Sequence, residues 1–242
     1  MNDIERLKKI INNSKRIVIF SGAGLSTNSG IPDFRSANGL YNQKTKYVAS
    51  PEEIISHSFF LSNTEDFFEF YFSKMVYPNA LPNSAHKYFA KLEKEGKVSS
   101  VITQNIDDLH QMAGSKNVIE LHGSVKRNYC MRCHKYYDIK DLTLSGVPKC
   151  SCGGIIKPDV VLYEESLNGN DIRRTIDEIS NADTMIIVGT SLTVYPAADF
   201  VRYFKGDNLI LLNKSHTQYD SMASIAIHDD IKNVIEELEK EE

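Results

Sequence analysis

The chain has few cysteines, no long apolar run and no excess of positive charge, and each of these absences excludes a class of protein. Lys and Arg total 28 against 32 Asp and Glu among 242 residues, which gives a net charge of -4. That balance offers no broad basic surface of the kind that nucleic-acid-binding proteins use. No apolar run approaches the roughly 20 residues of a membrane helix, so we expect neither nucleic acid nor membrane as a partner.

The N-terminal segment MNDIERLKKI lacks the apolar core of a secretory signal peptide. Hydrophobic residues make up 41% and charged residues 25% of the chain, the balance of an ordinary soluble globular protein. A length of 242 residues suits one large domain, or a large domain with a small insert. We therefore expect a folded protein of the cytoplasm.

The spacing of the four cysteines indicates a metal site. A CxxC pair, Cys130 and Cys133, is followed after sixteen residues by Cys150 and Cys152. Four thiolates fill every position of a tetrahedral zinc site, which stabilises small modules that lack a core. The sequence therefore predicts one structural Zn²⁺, with His134 as an alternative ligand. Redox thiols and scattered packing cysteines are the other interpretations.

Short apolar runs rich in β-branched residues alternate with helical patterns along the chain. The runs do not alternate in polarity, which is typical of strands covered on both faces, and they occupy 17–20, 98–102, 118–121, 185–188, 209–212 and 225–227. Helical patterns cover 4–11, 83–95 and 231–238, and Ser50-Pro-Glu-Glu53 has the pattern of a capping box. This order predicts an α/β fold with a mainly parallel sheet. The region 130–154 breaks the rhythm and is expected to be an inserted module rather than a sheet element.

The nucleotide-binding fingerprint after the first strand lacks its third glycine. The run 17–20 leads into Gly22-Ala-Gly24, and a chemically varied loop from Asn28 to Arg35 follows. The window 41–50 contains no Asp or Glu, although an acidic residue about 20 positions after the turn usually reads the ribose. Later strands end in Gly189-Thr-Ser191 and Asn213, which suit phosphate and ribose. These strand ends together predict nucleotide binding, and ordinary loop chemistry is the alternative for each alone.

Two further strand ends carry groups suited to catalysis. Thr103-Gln-Asn-Ile-Asp-Asp-Leu-His110 follows the run 98–102, and Leu121-His122-Gly123 closes the run 118–121. Ligands of open α/β sheets bind at the carboxyl ends of strands, so these side chains are expected to face one crevice. His122 is the candidate general base, because the reference pKa of imidazole, about 6.5, suits proton transfer near neutrality. A structural histidine is the alternative.

Three motifs together resemble those of the sirtuin family. They are Gly22-Ala-Gly-Leu-Ser-Thr27 with Gly30-Ile-Pro-Asp-Phe-Arg35, Thr103-Gln-Asn-Ile-Asp107, and His122-Gly123 ahead of the cysteines, and Lys157-Pro-Asp-Val-Val161, Gly189-Thr-Ser-Leu-Thr-Val-Tyr-Pro-Ala197 and Asn213 are also similar. The resemblance covers nearly the whole chain, in order. It implies a Rossmann-like parallel-sheet domain from 1–35, 86–125 and 157–242. A small domain would comprise a helical insertion, 36–85, and a zinc-ribbon module, 126–156.

The resemblance implies an NAD-dependent protein lysine deacetylase. In sirtuins NAD is consumed as a co-substrate: its bond to nicotinamide breaks, and the acyl oxygen of a modified lysine attacks the ribose carbon. The products are free lysine, nicotinamide and O-acetyl-ADP-ribose. The missing glycine then has a reason, since the site must leave room beside the ribose for lysine. The alternatives are an NAD-dependent mono-ADP-ribosyltransferase, a non-catalytic reader of NAD or acyl-ADP-ribose, and a zinc-ribbon nucleic-acid binder.

The same resemblance implies a role for each motif residue. His122 is the expected base that activates a ribose hydroxyl, and with Asn105 and Asp107 it forms the expected catalytic set. Asp107 would accept the nicotinamide carboxamide beside Ile106, while Gln104 and Asn105 would position the ribose and a water. The remaining expected NAD contacts are Phe34 and Arg35 over the ribose and phosphates, Gly22, Ala23, Gly24, Thr27, Thr190 and Ser191 at the phosphates, and Asn213 and Asp230 at the adenosine end.

The expected partner is a protein or peptide that carries acetylated lysine. Residues 161–163 would pair with the extended peptide as an added strand. Tyr163-Glu-Glu165 stands where many sirtuins have Phe-Gly-Glu, and its two acids favour a basic substrate. Sirtuins that remove acidic acyl groups tend to carry a Tyr-x-x-Arg pair, and the nearest segment here is Tyr71-Phe-Ser-Lys74. We therefore expect an acetyl or another neutral acyl group.

Overall fold

The computed structural model describes residues 2–34, 36, 39–42 and 48–240. The strands in this part of the chain are β1 (Ile17–Ser21), β2 (Val98–Thr103), β3 (Val118–Glu120), β4 (Gly123–Cys130), β5 (Tyr136–Asp138), β6 (Ile156–Val160), β7 (Thr184–Val188), β8 (Asn208–Leu212) and β9 (Ile225–Ile227). Six of them form a parallel sheet in the order β3-β2-β1-β7-β8-β9. The predicted strands are all in this sheet, and the α/β fold class is confirmed.

The helices pack on both faces of this sheet and in the insertion. They are α1 (Asp3–Asn13), α2 (Pro51–Ile54), α3 (His57–Ser62), α4 (Thr64–Lys74), α5 (Ser84–Lys94), α6 (Leu109–Ala113), α7 (Gly169–Ser180) and α8 (Ile231–Glu239). The hydroxyl of Ser50 accepts from the Glu53 N–H and begins α2, as its sequence predicts. None of the helices in the described ranges has the length and apolar character needed to cross a membrane.

Helix α7 lies outside the segments for which a helix is predicted above. Asn168 caps its start by accepting from the N–H groups of Asn170 and Asp171. Ile172, Ile176 and Ile179 recur at helical spacing and pack against one face of the sheet. The helical spacing of these isoleucines is therefore visible in the sequence, as is that of the apolar residues of α1 and α8.

The residues of β1 show why polar and apolar side chains do not alternate along the strands. Ile17 and Ile19 point into a core with α1, α5 and α8, whereas Val18 and Phe20 point into a second core that contains Ile179 of α7. All four side chains are fully buried. Successive strand residues face opposite sides, so a sheet covered on both faces needs apolar side chains at every position.

The inserted region that carries the cysteines contains its own sheet. This finding corrects the expectation that residues 130–154 form no sheet element. Strands β5, β4 and β6 pair antiparallel in that order. β3 ends at Glu120 and β4 begins at Gly123, so Leu121 and His122 form the turn between the two strands. Gly123 has a φ of +77° and a Cβ there would lie 1.9 Å from the Asp159 carbonyl oxygen, so glycine is required where the chain turns from one sheet to the other.

An aromatic core joins the helical part of the insertion to this second sheet. Phe60, Phe67 and Phe68 of α3 and α4 are buried against Val125 of β4 and Val160 of β6. The rings of Phe60 and Phe67 meet edge to face with centroids 4.9 Å apart, a favoured geometry for aromatic pairs. The helices and the small sheet therefore pack as one unit, although the residue limits given above for the two domains stay a prediction.

Two histidines are buried side by side beneath β1. His86 of α5 is 0% exposed and His110 of α6 is 1% exposed, and their ring centroids lie 4.9 Å apart. The Asn83 amide donates to His86 Nδ1 at 3.3 Å, and His110 Nε2 lies 2.9 Å from Ser21 Oγ. Within the described residues, His86 Nε2 and His110 Nδ1 have no hydrogen-bond partner. Burial lowers the pKa of His86 to about 4 and that of His110 well below its usual value.

We expect this pair to make the protein sensitive to acid. An unfolded histidine binds a proton near pH 6.5, whereas the folded pair does so only at lower pH. The unfolded state therefore takes up protons first, and the free energy of unfolding should fall as the pH drops from about 6.5 towards 4, by up to about 1.4 kcal/mol per pH unit for each ring. Denaturant unfolding across this pH range measures the slope.

His86→Asn should reduce that slope, because an asparagine oxygen can still accept from the Asn83 amide but does not titrate. His134→Asn is the matched control, since His134 is exposed. An unchanged slope in His86→Asn would show that the buried pair does not cause the acid sensitivity.

Candidate functional site

The glycine turns after β1 and β7 contact each other through their backbones. The Gly24 N–H donates to the Gly189 carbonyl at 2.8 Å, and the Gly22 N–H donates to Val188 at 3.1 Å. A Cβ on Gly24 would lie 2.9 Å from the Gly189 oxygen, and a Cβ on Gly189 would lie 2.2 Å from the Leu25 nitrogen. Both positions therefore require glycine. The contact places the two candidate phosphate-binding loops side by side.

A chain of hydrogen bonds links three strand ends beside these turns. Gln104 Nε2 donates to Thr190 Oγ1 at 3.0 Å. The Thr190 N–H donates to Asn213 Oδ1 at 3.0 Å, and Asn213 Nδ2 donates back to the Thr190 carbonyl at 2.9 Å. Residues after β2, β7 and β8 are thus fixed relative to one another, as the crevice prediction requires.

Asp107 and Asn105 are held together by Ser26. The Ser26 hydroxyl donates to Asp107 Oδ2 at 2.6 Å, and Asn105 Nδ2 donates to Ser26 Oγ at 3.1 Å. The Leu109 N–H donates to the other Asp107 oxygen at 3.0 Å. Burial raises the pKa of Asp107, while these bonds oppose the shift. The carboxyl group is therefore fixed in position with few contacts to water.

Ser26 is a residue of the site that is not among the contacts expected from the sequence motifs. It is fully buried within the short 3-10 helix Ala23–Ser29 that follows the first glycine turn. Its position inside the motif Gly22–Thr27 indicated that it belongs to the site. Its hydrogen-bond partners, however, are 79 and 81 residues away in the sequence. Only the folded arrangement of β1 beside β2 reveals the contact.

The His122 ring is oriented by a main-chain carbonyl. His122 Nδ1 lies 2.9 Å from the Gln104 carbonyl oxygen. A carbonyl only accepts, so Nδ1 carries the proton and Nε2 keeps a free lone pair. Burial lowers the pKa of His122, and the bond to Gln104 opposes this shift. The ring is therefore neutral at neutral pH, and one nitrogen is available as a base.

Aromatic side chains form one rim of the crevice. The rings of Phe34 and Tyr41 have centroids 5.4 Å apart. The hydroxyl of Tyr41 lies 2.8 Å from the hydroxyl of Tyr163, which follows β6. The loop after the first glycine turn therefore meets the rim of the small domain through these two phenols.

Charged groups gather at the opposite end of the crevice. Asp230 accepts from Asn28 Nδ2 at 2.7 Å and from Lys214 Nζ at 2.8 Å, and it caps α8 through the Lys232 N–H. Burial opposes ionisation of Asp230, but these bonds outweigh it and lower its pKa to about 2. Asp230 is thus an anion whose position Asn28 and Lys214 fix.

One cavity of about 790 Å³ connects all of these groups. It lies at the carboxyl ends of the parallel strands, between the large sheet and the small domain. The predicted NAD contacts that line it are Gly22, Ala23, Gly24, Thr27, Phe34, Gln104, Asn105, Ile106, Asp107, His122, Thr190, Ser191, Asn213 and Asp230. The remaining predicted contact, Arg35, lies outside the described residues. The structure thus brings these side chains together, while their roles stay predictions.

The four cysteines form the cluster that their spacing predicts. Their Sγ atoms all lie within 4.8 Å of one another. Cys130 and Cys152 are 3.5 Å apart and Cys133 and Cys150 are 3.6 Å apart between sulfur atoms. Tetrahedral zinc with Zn–S bonds of about 2.3 Å places its thiolates about 3.8 Å apart, so the cluster fits the ion.

Hydrogen-bond donors lower the pKa of the Cys130 and Cys150 thiols, whereas at Cys133 the Lys135 N–H is outweighed by the neighbouring sulfur atoms, which raise its pKa. The N–H groups of Arg132 and Cys133 point at Cys130 Sγ at 3.4 and 3.5 Å, and the Tyr137 hydroxyl donates to Cys150 Sγ at 3.1 Å. The Cys152 amide and this hydroxyl lower the pKa of Cys150 to about 5. His134, the alternative ligand, does not belong to the cluster. With four thiolates present, zinc here would have a structural role and no open position for substrate.

The fold and the site together define a Rossmann-like nucleotide-binding protein with an inserted domain whose four cysteines could hold a zinc ion. The family model described as "Sir2 family" matches residues 22–196. The chain belongs to the Sir2 family, and the sirtuin resemblance is confirmed.

Named relatives cover almost the entire chain. An NAD-dependent protein deacetylase of Clostridium perfringens (strain 13 / Type A) is 61% identical over 96% of both chains. One from Staphylococcus epidermidis (strain ATCC 12228 / FDA PCI 1200) is 47% identical over 98% of this chain and 96% of the relative.

Solved structures of Sir2 enzymes are also similar. A complex described as Sir2-p53 peptide-NAD⁺ has a TM-score of 0.83 at 39% identity, and it covers 98% of this chain and 96% of that one. A second Sir2 structure, with deacetylated p53 peptide and 3'-O-acetyl ADP ribose, has a TM-score of 0.87 at 39% identity over 97% and 96% of the two chains.

Loss of one thiolate should release zinc and destabilise the protein. We expect Cys150→Ser to lose stoichiometric zinc and to unfold about 10 °C or more below the unmodified protein, because structural zinc contributes several kcal/mol to folding. Metal content by mass spectrometry and thermal unfolding measure both effects. His134→Ala is the control and should keep its zinc, whereas zinc retention by Cys150→Ser would contradict the four-thiolate site.

Proposed function

We propose that the protein is an NAD-dependent protein lysine deacetylase that consumes NAD and yields free lysine, nicotinamide and O-acetyl-ADP-ribose. The observation that carries the proposal is the single cavity in which polar groups from several strand ends converge. Membership of the Sir2 family and the shared name of the relatives support the same enzyme class. The residue roles that follow rest on the geometry of this cavity.

His122 is suited to take a proton from a ribose hydroxyl. Its Nδ1–H is engaged by the Gln104 carbonyl, so Nε2 is the nitrogen that can accept. Burial keeps the ring neutral and therefore ready to act as a base near neutrality. Gln104 is itself bonded to Thr190, so the base is indirectly fixed to the phosphate-binding side of the site.

Asp107 and Asn105 form a polar surface suited to the nicotinamide end. An oxygen of the Asp107 carboxyl group can accept from the carboxamide NH₂ that NAD carries. Ser26 and the Leu109 amide already hold this group in place, so little reorganisation is needed when the ligand binds. Phe34 provides the apolar cover that excludes water, which would otherwise compete with the acyl oxygen.

The two glycine turns and Asn213 suit the rest of NAD. The turns bring backbone groups close to the cavity, and Thr27, Thr190 and Ser191 place hydroxyl groups along the same wall. Thr27 is oriented by donating to the Gly24 carbonyl at 2.9 Å. Asn213 and Asp230 lie further along the cavity, in positions suited to the adenosine end.

The peptide rim carries negative charge, as a basic substrate would favour. The Ser58 N–H and hydroxyl donate to the Glu164 carboxylate at 2.8 and 2.9 Å. Glu165 pairs with Lys157 at 3.2 Å and with His57 at 2.8 Å, so part of its charge is already compensated. Glu164 is therefore the acid that would attract lysine-rich sequences around the target residue.

The backbone of Tyr163 limits how a peptide strand could be added. Its N–H donates to the Ile55 carbonyl at 3.1 Å, and its carbonyl accepts from the His57 N–H at 3.0 Å. The N–H groups of Val161 and Leu162 also donate, to the His122 carbonyl at 3.0 Å and to the Glu165 carboxylate at 2.8 Å. An added strand would therefore have to pair through carbonyl groups of this segment or displace one of these bonds. The predicted pairing over 161–163 stays a proposal with that restriction.

A neutral acyl group fits the helical insertion best. Tyr71 is 1% exposed and packs among the phenylalanine rings of α4. It does not line the cavity, whereas Lys74 does. Helix α4 therefore lacks the Tyr-x-x-Arg pair that would bind an acidic acyl group, because position 74 is a lysine and Tyr71 does not line the cavity. We propose acetyl-lysine as the substrate.

We also propose the cytoplasm as the location, because thiolate zinc ligands suit a reducing compartment.

The activity test uses purified protein and an acetyl-lysine peptide with and without NAD. Mass spectrometry should show loss of the acetyl group only with NAD, together with free nicotinamide and acetyl-ADP-ribose. ADP-ribose attached to protein without deacetylation would instead identify the mono-ADP-ribosyltransferase alternative. NAD binding without turnover would favour a non-catalytic reader.

We expect His122→Ala to reduce deacetylation at least about a hundredfold, the usual scale for loss of a general base. NAD binding should change little, since the ring is needed for proton transfer rather than for affinity. Initial rates and NAD titration by calorimetry separate the two effects. His134→Asn is the control, because this histidine is exposed and does not line the cavity.

The pH profile supplies a second measurement. Because burial lowers the pKa of His122, the base form should predominate down to a pH below 6.5, so kcat/KM should fall only under that value. An acid limb well above pH 6.5, or full turnover by His122→Ala, would remove His122 from the proposed mechanism.

A further inference from the structure

A second group of metal-ligating side chains lies outside the cysteine cluster. His216, Asp220 and His228 follow β8 and β9 at the adenosine end of the sheet. His216 Nδ1 lies 2.6 Å and His228 Nε2 lies 3.0 Å from the same oxygen, Asp220 Oδ2. The two imidazole rings have centroids 4.0 Å apart. Two histidines and one carboxylate thus converge on one point.

The three ligand atoms have the separations that a metal ion needs. They all lie within 4.8 Å of one another. Bonds of about 2.0–2.1 Å to a tetrahedral ion place nitrogen and oxygen ligands about 3.3 Å apart, so the distances of 2.6 and 3.0 Å from Asp220 Oδ2 would lengthen by about 0.7 and about 0.3 Å. Imidazole with carboxylate is a donor set suited to zinc and similar divalent transition ions.

The carboxylate is supported by a further residue. The N–H and the hydroxyl of Thr217 each lie 2.9 Å from Asp220 Oδ1. This leaves Oδ2 facing the two imidazoles. Bonds of this kind to the outer oxygen orient metal-binding carboxylates and are worth about 10–100-fold in affinity. The group therefore has the orienting bonds of a built site as well as its ligands.

The group is also accessible. The His216 side chain is 84% exposed, while Asp220 and His228 are 21% and 24% exposed. An ion held by three side chains on a solvent-facing surface keeps a position for water. His216 lines the large cavity together with Lys214 and Asp230, so the group lies at the cavity rim.

We propose that His216, Asp220 and His228 bind a divalent transition-metal ion such as Zn²⁺, at a site separate from the four cysteines. This site has three protein ligands and an open position, whereas the cysteine site is closed. The inference does not depend on deacetylase activity, because it rests on the distances and exposure of these three side chains alone.

Zinc binding by the protein with its cysteine site already filled tests the proposal. Zinc-loaded protein is freed of excess metal and titrated with Zn²⁺ in the presence of a chromophoric chelator. The unmodified protein should bind one further equivalent. His216→Asn and His228→Gln should each weaken this second equivalent by at least about a hundredfold, and Thr217→Val by about tenfold.

Matched controls separate this site from other histidines. His57→Asn removes a histidine that also pairs with a carboxylate but lacks a second imidazole, and His134→Asn removes one near the cysteines. Both should bind the second equivalent as the unmodified protein does. His216 is exposed enough for its substitution to leave folding intact, which thermal unfolding checks. Absence of a second equivalent, or equal affinity in His216→Asn, would overturn the proposal.

Discussion

The site depends on the close contact between the glycine turns that end β1 and β7. These strands are neighbours in the parallel sheet, and the Gly24 amide continues their pairing by donating to the Gly189 carbonyl. Side chains at either glycine would collide with backbone atoms of the other turn. The contact lets Thr190 lie within reach of both Gln104 and Asn213. Without it, the strand ends would still share one edge but their polar groups would not meet.

Burial then gives the grouped side chains their chemistry. Three groups illustrate this: the pKa of Asp107 is raised, that of His122 is lowered, and that of Asp230 is held at about 2 by its partners. Desolvation disfavours charge at the first two, where no full opposing charge among the described residues lies in contact, whereas Lys214 compensates it at the third. A neutral base and a fixed anion can therefore occupy one cavity.

Much of the parallel sheet could be predicted, because strands covered on both faces leave continuous apolar runs such as Ile17–Phe20. Strand ends carry motif residues, so Gln104, His122 and Asn213 could be assigned to one crevice before the structure was known. Ser26 could not, since its contact with Asp107 depends on how β1 lies beside β2. The small sheet of the insertion could not be predicted either. Its strand β5 has only three residues, and Tyr137 of this strand packs against the cysteine cluster.

Contacts between residues on different strands, or on the connections after them, were the hardest to predict. His216, Asp220 and His228 lie on connections after two different strands, and nothing in their spacing resembles a metal motif. The same holds for the link between the two domains. Arg127 of β4 pairs with Glu120 of β3 at 2.6 Å and with Asp159 of β6 at 2.8 Å.

The Arg127–Glu120 pair joins the large sheet to the small one close to His122, and the Arg127–Asp159 pair lies within the small sheet. Arg127 is only partly exposed and Glu120 is largely buried, so this pair is screened less than surface ion pairs. The segment from Glu120 to Arg127, which carries the proposed base, is therefore anchored to both sheets. Any movement of the small domain relative to the large one would have to bend the chain on either side of this anchor.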